Sequence, residues 1–256
     1  MSPNLVWFGV ALATHLLAPY DIDGATATGA AAALRWLLPR FIMNTTIAFV
    51  YHFYFFYGLY VAGWGRRKYA TGSNPTLHNL AHNLWYWTLG MVQWTFLEYI
   101  MCKAWGNGYA APIASNAEIL GDNKLLALNI AWVLLTPIWR DVHFYIAHRF
   151  VHIRAIYKYV HSLHHRNADP EPFSGLTMHP IEHLYYYSNA LLPSLFLPGL
   201  SPLIFLWIFM HLILAPGGSH SGWEDNFHAD QYHYLHHRKW VISLRPLFDQ
   251  RICDAV

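Results

Sequence analysis

Charge is what this chain has least of. Only 12% of its 256 residues are Asp, Glu, Lys or Arg, about half of the roughly 25% carried by an average soluble domain. The formal net charge is +2 with His neutral, and no basic stripe is present, so nucleic acid is not an expected partner. Cysteine is almost absent: Cys102 and Cys253 stand far apart, one near the C-terminal end. Two such residues build neither a disulfide framework nor a cysteine-based zinc site. Also missing are the Glu-x-x-His helices of soluble di-iron carboxylate bundles and a His-Glu-x-x-His metalloprotease helix. Low-complexity segments and linkers are lacking as well.

What fills the chain is apolar, aromatic and imidazole. Hydrophobic residues make up 55% and aromatic residues 17%, including 12 Trp and 17 Tyr. Rings of this amphipathic kind gather where apolar and aqueous phases meet. Mean hydropathy is +0.21, held down by 18 histidines. The combination points to a membrane protein.

Residues 4–20 are apolar but short for a span, with no preceding basic residue as a secretory signal would require. They suit a first helix or an interfacial segment. The small, turn-rich stretch that follows from Asp21 suits a loop. Residues 41–64 run 24 positions without a charge, long enough at 1.5 Å per residue to cross a hydrocarbon core of about 30 Å. They form the clearest expected span, ending at Arg66, Arg67 and Lys68. Residues 84–102, interrupted by Gln93 and Glu98, and residues 125–139, which run into Arg140 and Asp141, are the next two. Residues 184–216 lack charge, and Pro193, Pro198 and Pro202 divide them, so two half-length helices in a hairpin are expected.

Positive charge follows the first span, the third span and the hairpin, while only Lys103 and Lys124 lie between spans two and three. The positive-inside tendency therefore puts the segments at 66–68 and 140–166 and the C-terminus in the cytoplasm. Arg35 and Arg40, at the entry of the first span, are the discordant pair. The expected fold is all-α: an integral membrane helical bundle of about three to four spans plus the hairpin, with a His-rich site facing the cytosol. Residues 1–124 would form an N-terminal membrane region and 125–256 the histidine-bearing part of one structural unit.

The pattern His-x-x-His-His occurs twice, at His161, His164 and His165 and at His233, His236 and His237. On a helix, positions i, i+3 and i+4 share a face, so each triplet is expected to point one way. His148 with His152, and His179 with His183, are i, i+4 pairs, and His220 precedes the last triplet. Desolvating so many imidazoles is costly unless each finds a partner. They outnumber the four to six ligands of one ion, so two metal ions is the economical count. Imidazole suits zinc, copper, iron and nickel alike; a pair of irons activating O₂ against an inert C–H bond is the expectation by reaction class. Asp141, Glu182, Asp225 and Asp230 could accept from the outer ring N–H groups, with Arg149 and Arg166 near them. Isolated histidines such as His15, His52 and His211 are expected to be hydrogen-bonded core or interface residues.

The runs RDVHFYIAHRFVH, HSLHH, TMHPIEH, QYHYLHHRK and PLFDQ together resemble the fatty acid hydroxylase/sterol desaturase superfamily over roughly 130–250. The resemblance implies an integral membrane, non-haem di-iron oxidoreductase of the endoplasmic reticulum that hydroxylates or desaturates a sterol or fatty acyl lipid with O₂. It also implies cytochrome b5 and its reductase as electron donors. His148 and His152 match the first histidine box, His161, His164 and His165 the second, and His233, His236 and His237 the third. His179 and His220 match intervening histidines, with His183 in the same run as His179. The tail after His237 keeps Phe248 and Asp249 but departs from the superfamily's usual ending. The competing expectation is a non-catalytic metal-binding relative acting as scaffold or regulator.

Overall fold

The structure, a computed structural model, describes residues 3–63, 75–223 and 229–239. Among them the elements are helical and no strand element occurs. In chain order they are α1 (Pro3–Leu17), α2 (Ile22–Thr26), α3 (Ala30–Phe56), α4 (Leu77–Gly106), α5 (Asn116–Gly121), α6 (Asn123–Val151), α7 (Arg154–Tyr157), α8 (Pro180–Phe196), α9 (Pro202–Ser219) and α10 (Ala229–Lys239). A π-turn (Tyr57–Val61) extends α3, and two 3-10 turns (His161–Arg166 and Pro172–Leu176) lie between α7 and α8. Two compact units result. The first holds residues 1–49, 88–148 and 180–215, the second 50–87, 149–179 and 216–256.

In the first unit the core is aromatic. Trp94 of α4 stacks on Phe209 of α9 with ring centroids 3.8 Å apart, and it meets Tyr187 of α8 edge-on. The expected hairpin is present: α8 and α9 are joined through Pro198 and Gly199, and the Tyr186 hydroxyl donates to the Leu212 carbonyl at 2.8 Å. Pro193, expected to divide the run, instead sits inside α8, and Pro216 sits inside α9. His211 bonds Asn4 through Nε2 at 2.8 Å, as an isolated core histidine should.

Among the described residues, two helices are long and apolar enough to cross a membrane, α6 and α9. Neither is residues 41–64. That helix begins earlier, at Ala30, and so takes Arg35 and Arg40 into α3. The reason is a buried ion pair: Arg40 Nη2 donates to Glu98 Oε1 of α4 at 2.8 Å, and its Nη1 donates to the Ala18 carbonyl. Asn44 and the Tyr20 hydroxyl donate to the same carboxylate. Likewise α6 continues twelve residues past Trp139 to Val151; within that extension Arg140 pairs with Asp141 at 2.8 Å and lies over the Phe144 ring. The stretch after Asp21, expected as a loop, holds α2 and the start of α3. Asp21 caps α2 by accepting from the Gly24 N–H.

The outer faces are apolar at helical spacing. Ile130, Leu134, Ile138, Val142 and Ile146 recur every fourth residue of α6 and are exposed, as are Val92, Phe96 and Ile100 of α4. Contiguous apolar surface on this scale marks a surface that meets another apolar phase.

The second unit is organised around its imidazoles. Here His52 packs against Phe173, with centroids 5.8 Å apart, and against Trp87. Gly217 allows this approach: a Cβ there would lie 2.9 Å from the His52 ring.

Candidate metal centre

The second box lies on a tight 3-10 turn rather than an α-helix, and the third lies on α10. Neither triplet points one way. His161 and His165 join His152 and His236 in a first group, while His164 joins His220, His233 and His237 in a second. In each group the candidate ligand nitrogens lie within 4.8 Å of one another. Box two thus sends two rings to the first group and one to the second, and box three does the reverse. For α10 the cause is helical geometry: the adjacent His236 and His237 diverge by about 100° around the helix, while His233 and His237, four apart, lie nearly one above the other. His148, which ends the 88–148 segment of the first unit, stands one helical turn before His152 along the chain.

Many of the rings pack edge to face, among them His152 on His161, His165 and His236. His152 Nε2 faces His236 Nε2 at 3.2 Å, and His220 Nε2 faces His233 Nε2 at 2.8 Å. Such separations are close to the roughly 3 Å between neighbouring ligand atoms around an ion bonded at about 2.1 Å. His161, His164, His165, His220, His236 and His237 are all buried.

Burial disfavours the charged form of six of the rings, His152, His161, His164, His165, His220 and His237. It lowers the His152 imidazole to about 4, helped by His236 and Arg149, and it drives His161, His164, His220 and His237 well below the ordinary histidine range. His165 shifts the same way, again by burial first and then by its imidazole neighbours. Neutral imidazole is the ligand form. His237 is the clearest test of fit: it is fully buried and neither ring nitrogen has a hydrogen-bond partner. A buried polar group in that state is costly unless something else meets it, and a metal ion suits both its chemistry and its neighbours.

Outer contacts hold part of this set. His164 Nδ1 faces the Thr177 carbonyl at 3.3 Å, and His220 Nδ1 faces the Ser174 hydroxyl at 2.8 Å. On α10, Arg238 Nη1 donates to the Tyr234 hydroxyl at 2.6 Å, and that hydroxyl donates to Asp169 at 2.9 Å. Sequence reasoning named none of Ser174, Thr177, Tyr234 or Asp169. They are ordinary polar residues whose approach depends on how the segments pack.

Other expected residues stand elsewhere. His183 lies in the first unit, its Nδ1 facing Gln93 Oε1 at 3.0 Å and its ring stacked on Tyr187. His179, at the end of the 149–179 segment, is half-buried and joins neither group. Asp141 pairs with Arg140, and Glu182 is buried at the start of α8. Asp225, the Asp230 side chain, Phe248 and Asp249 lie outside the described residues.

The model of the fatty acid hydroxylase family matches residues 133–250. The chain is 28% identical over 118 residues to a delta(7)-sterol 5(6)-desaturase of Gibberella zeae, covering 43% of this chain and 33% of that protein. To a very-long-chain aldehyde decarbonylase of Oryza sativa it is 30% identical over 118 residues, covering 43% and 44%. To methylsterol monooxygenase 2-2 of Arabidopsis thaliana it is 34% identical over 152 residues, covering 55% and 52%. The chain thus spans a third to a half of the length of these relatives. No solved structure matches it. The stretch that matches the fatty acid hydroxylase family, 133–250, is the one that carries both imidazole groups.

Proposed function

We propose that this protein is a membrane-bound, O₂-dependent, non-haem di-iron oxidoreductase that hydroxylates or desaturates a sterol or fatty acyl lipid. The observation that carries the reading is the pair of largely buried imidazole groups inside the stretch that matches the family. His152, His161, His165 and His236 would hold one ion and His164, His220, His233 and His237 the other. His148, four residues before His152, is the further imidazole proposed for the first. Bound iron would supply the activation of O₂ toward an unactivated C–H bond. The chain's own part is to make these eight rings converge and to bury most of them.

The exposed apolar faces of α4 and α6 support a lipid setting for the first unit. In this reading the site faces the cytosol at the endoplasmic reticulum, and cytochrome b5 with its reductase delivers the electrons. The named activities of the relatives, on sterols and on very-long-chain aldehydes, favour a lipid as substrate. Two measurements test the proposal. Purified protein should contain about two irons per chain. Lipid profiles of cells with and without the protein should differ by an oxidised product and its accumulated precursor. Iron-free protein would remove the cofactor assignment, whereas iron with unchanged lipids would favour a scaffold or regulator.

A further inference from the structure

The second imidazole group is backed by one short piece of chain. Glu171 caps the 3-10 turn Pro172–Leu176: its Oε2 accepts from the Phe173 N–H at 2.9 Å, and Asn83 Nδ2 donates to its Oε1 at 2.8 Å. The Ser174 side chain is wholly buried and makes three contacts. It accepts from the Glu171 N–H at 3.0 Å, donates to the Glu171 carbonyl at 2.7 Å, and meets His220 Nδ1 at 2.8 Å. A serine hydroxyl has one proton. With that proton on the Glu171 carbonyl, the oxygen is left to accept from His220 Nδ1–H.

The same logic applies to His164, since the Thr177 carbonyl facing its Nδ1 can only accept. Both rings then carry their proton on Nδ1 and turn a bare Nε2 away from the turn. For His220 that nitrogen is the one facing His233. Gly175 lets the turn come this close. A Cβ there would lie 2.6 Å from the Pro216 carbonyl, four residues before His220.

We infer that the turn at 171–177 sets the tautomers of His164 and His220, and that Ser174 is a positioning residue for a metal ion at the second group alone. This inference rests on the proposed metal-binding reading. A donor–acceptor contact of this kind fixes ring orientation and tautomer, and its loss typically costs about 10–100-fold in metal affinity.

The experiment measures iron per chain in the purified, full-length protein, and the rate of iron release to a chelator, for the unaltered protein, Ser174→Ala, Ser174→Cys and His220→Ala. A protein without iron before any substitution overturns the metal reading itself. With two irons present, Ser174→Ala should release one of them about 10–100-fold faster and leave the other unchanged. Adding Ser174→Ala to His220→Ala should have little further effect, because the two act on one site. Ser174→Cys keeps the shape of the side chain but offers a weaker acceptor, so it gives the same readout if the alanine variant does not fold. Release at the unaltered rate from the cysteine or alanine variant overturns the inference, as does equal acceleration at both ions.

Discussion

His165 and His237 stack with ring centroids 4.6 Å apart and planes 26° from parallel, although each belongs to a different imidazole group. They are the seam between the two proposed ions. The arrangement predicts separable occupancy: His161→Ala should lower iron to about one per chain, His237→Ala should do the same, and the double change should abolish it. Elemental analysis of the purified variants checks this, and loss of both ions on either single change would contradict the two-group division.

Tyr234 links α10 to the segment after the second box, through Arg238 and Asp169. Because α10 supplies rings to both groups, Tyr234→Phe should speed iron release from both ions, unlike the Ser174 variants. The expected change is modest, since Arg238 and Asp169 are about half exposed. Chelator-release kinetics resolve it, and loss from one ion alone would contradict it.

The Arg40–Glu98 pair holds α3 to α4 within the first unit. Glu98→Ala leaves a buried guanidinium uncompensated and should destabilise the protein by about 3–5 kcal/mol. Replacing both residues with apolar ones of similar size should recover most of that loss. Thermal unfolding in detergent distinguishes the outcomes, and equal destabilisation by the single and double changes would show that the charge pair is not the cause.

Burial pushes the Glu171 carboxyl from 4.5 up to about 7, against the pull of its Asn83 and backbone donors. An acid raised in the folded state binds more protons there than when unfolded. Stability from this group is therefore fully present below about 4.5 and falls as pH rises through about 7. Glu171→Gln removes that slope, so its stability relative to the unaltered protein should rise across this window, by about 1–3 kcal/mol. Paired unfolding measurements from pH 4 to 8 test the sign; a flat difference would refute it.

Much of this protein was legible in the order of its residues. The scarcity of charge and the long apolar runs implied an all-helical chain, the proline-broken run implied the α8–α9 hairpin, and two His-x-x-His-His triplets implied a rich imidazole centre. Those are local properties of composition and spacing, and backbone geometry turns them directly into helices and faces. Polar interruptions were harder to read. Arg40 looked discordant and Glu98 looked like a break in a span, yet each is the other's partner, a fact that exists only where α3 and α4 pack.

The triplets show the same limit most clearly. Spacing alone made each one point one way, whereas the 3-10 turn at 161–166 and the meeting of that turn with α10 divide them between two groups. Which ring faces which depends on contacts between segments about seventy residues apart. The tautomer-setting contacts from Ser174 and Thr177 likewise come from a capped turn held by Asn83, ninety-one residues before Ser174. Helical periodicity determined that histidines would cluster, and only tertiary packing decided how they are shared, because ligand geometry is set across the fold rather than along the chain.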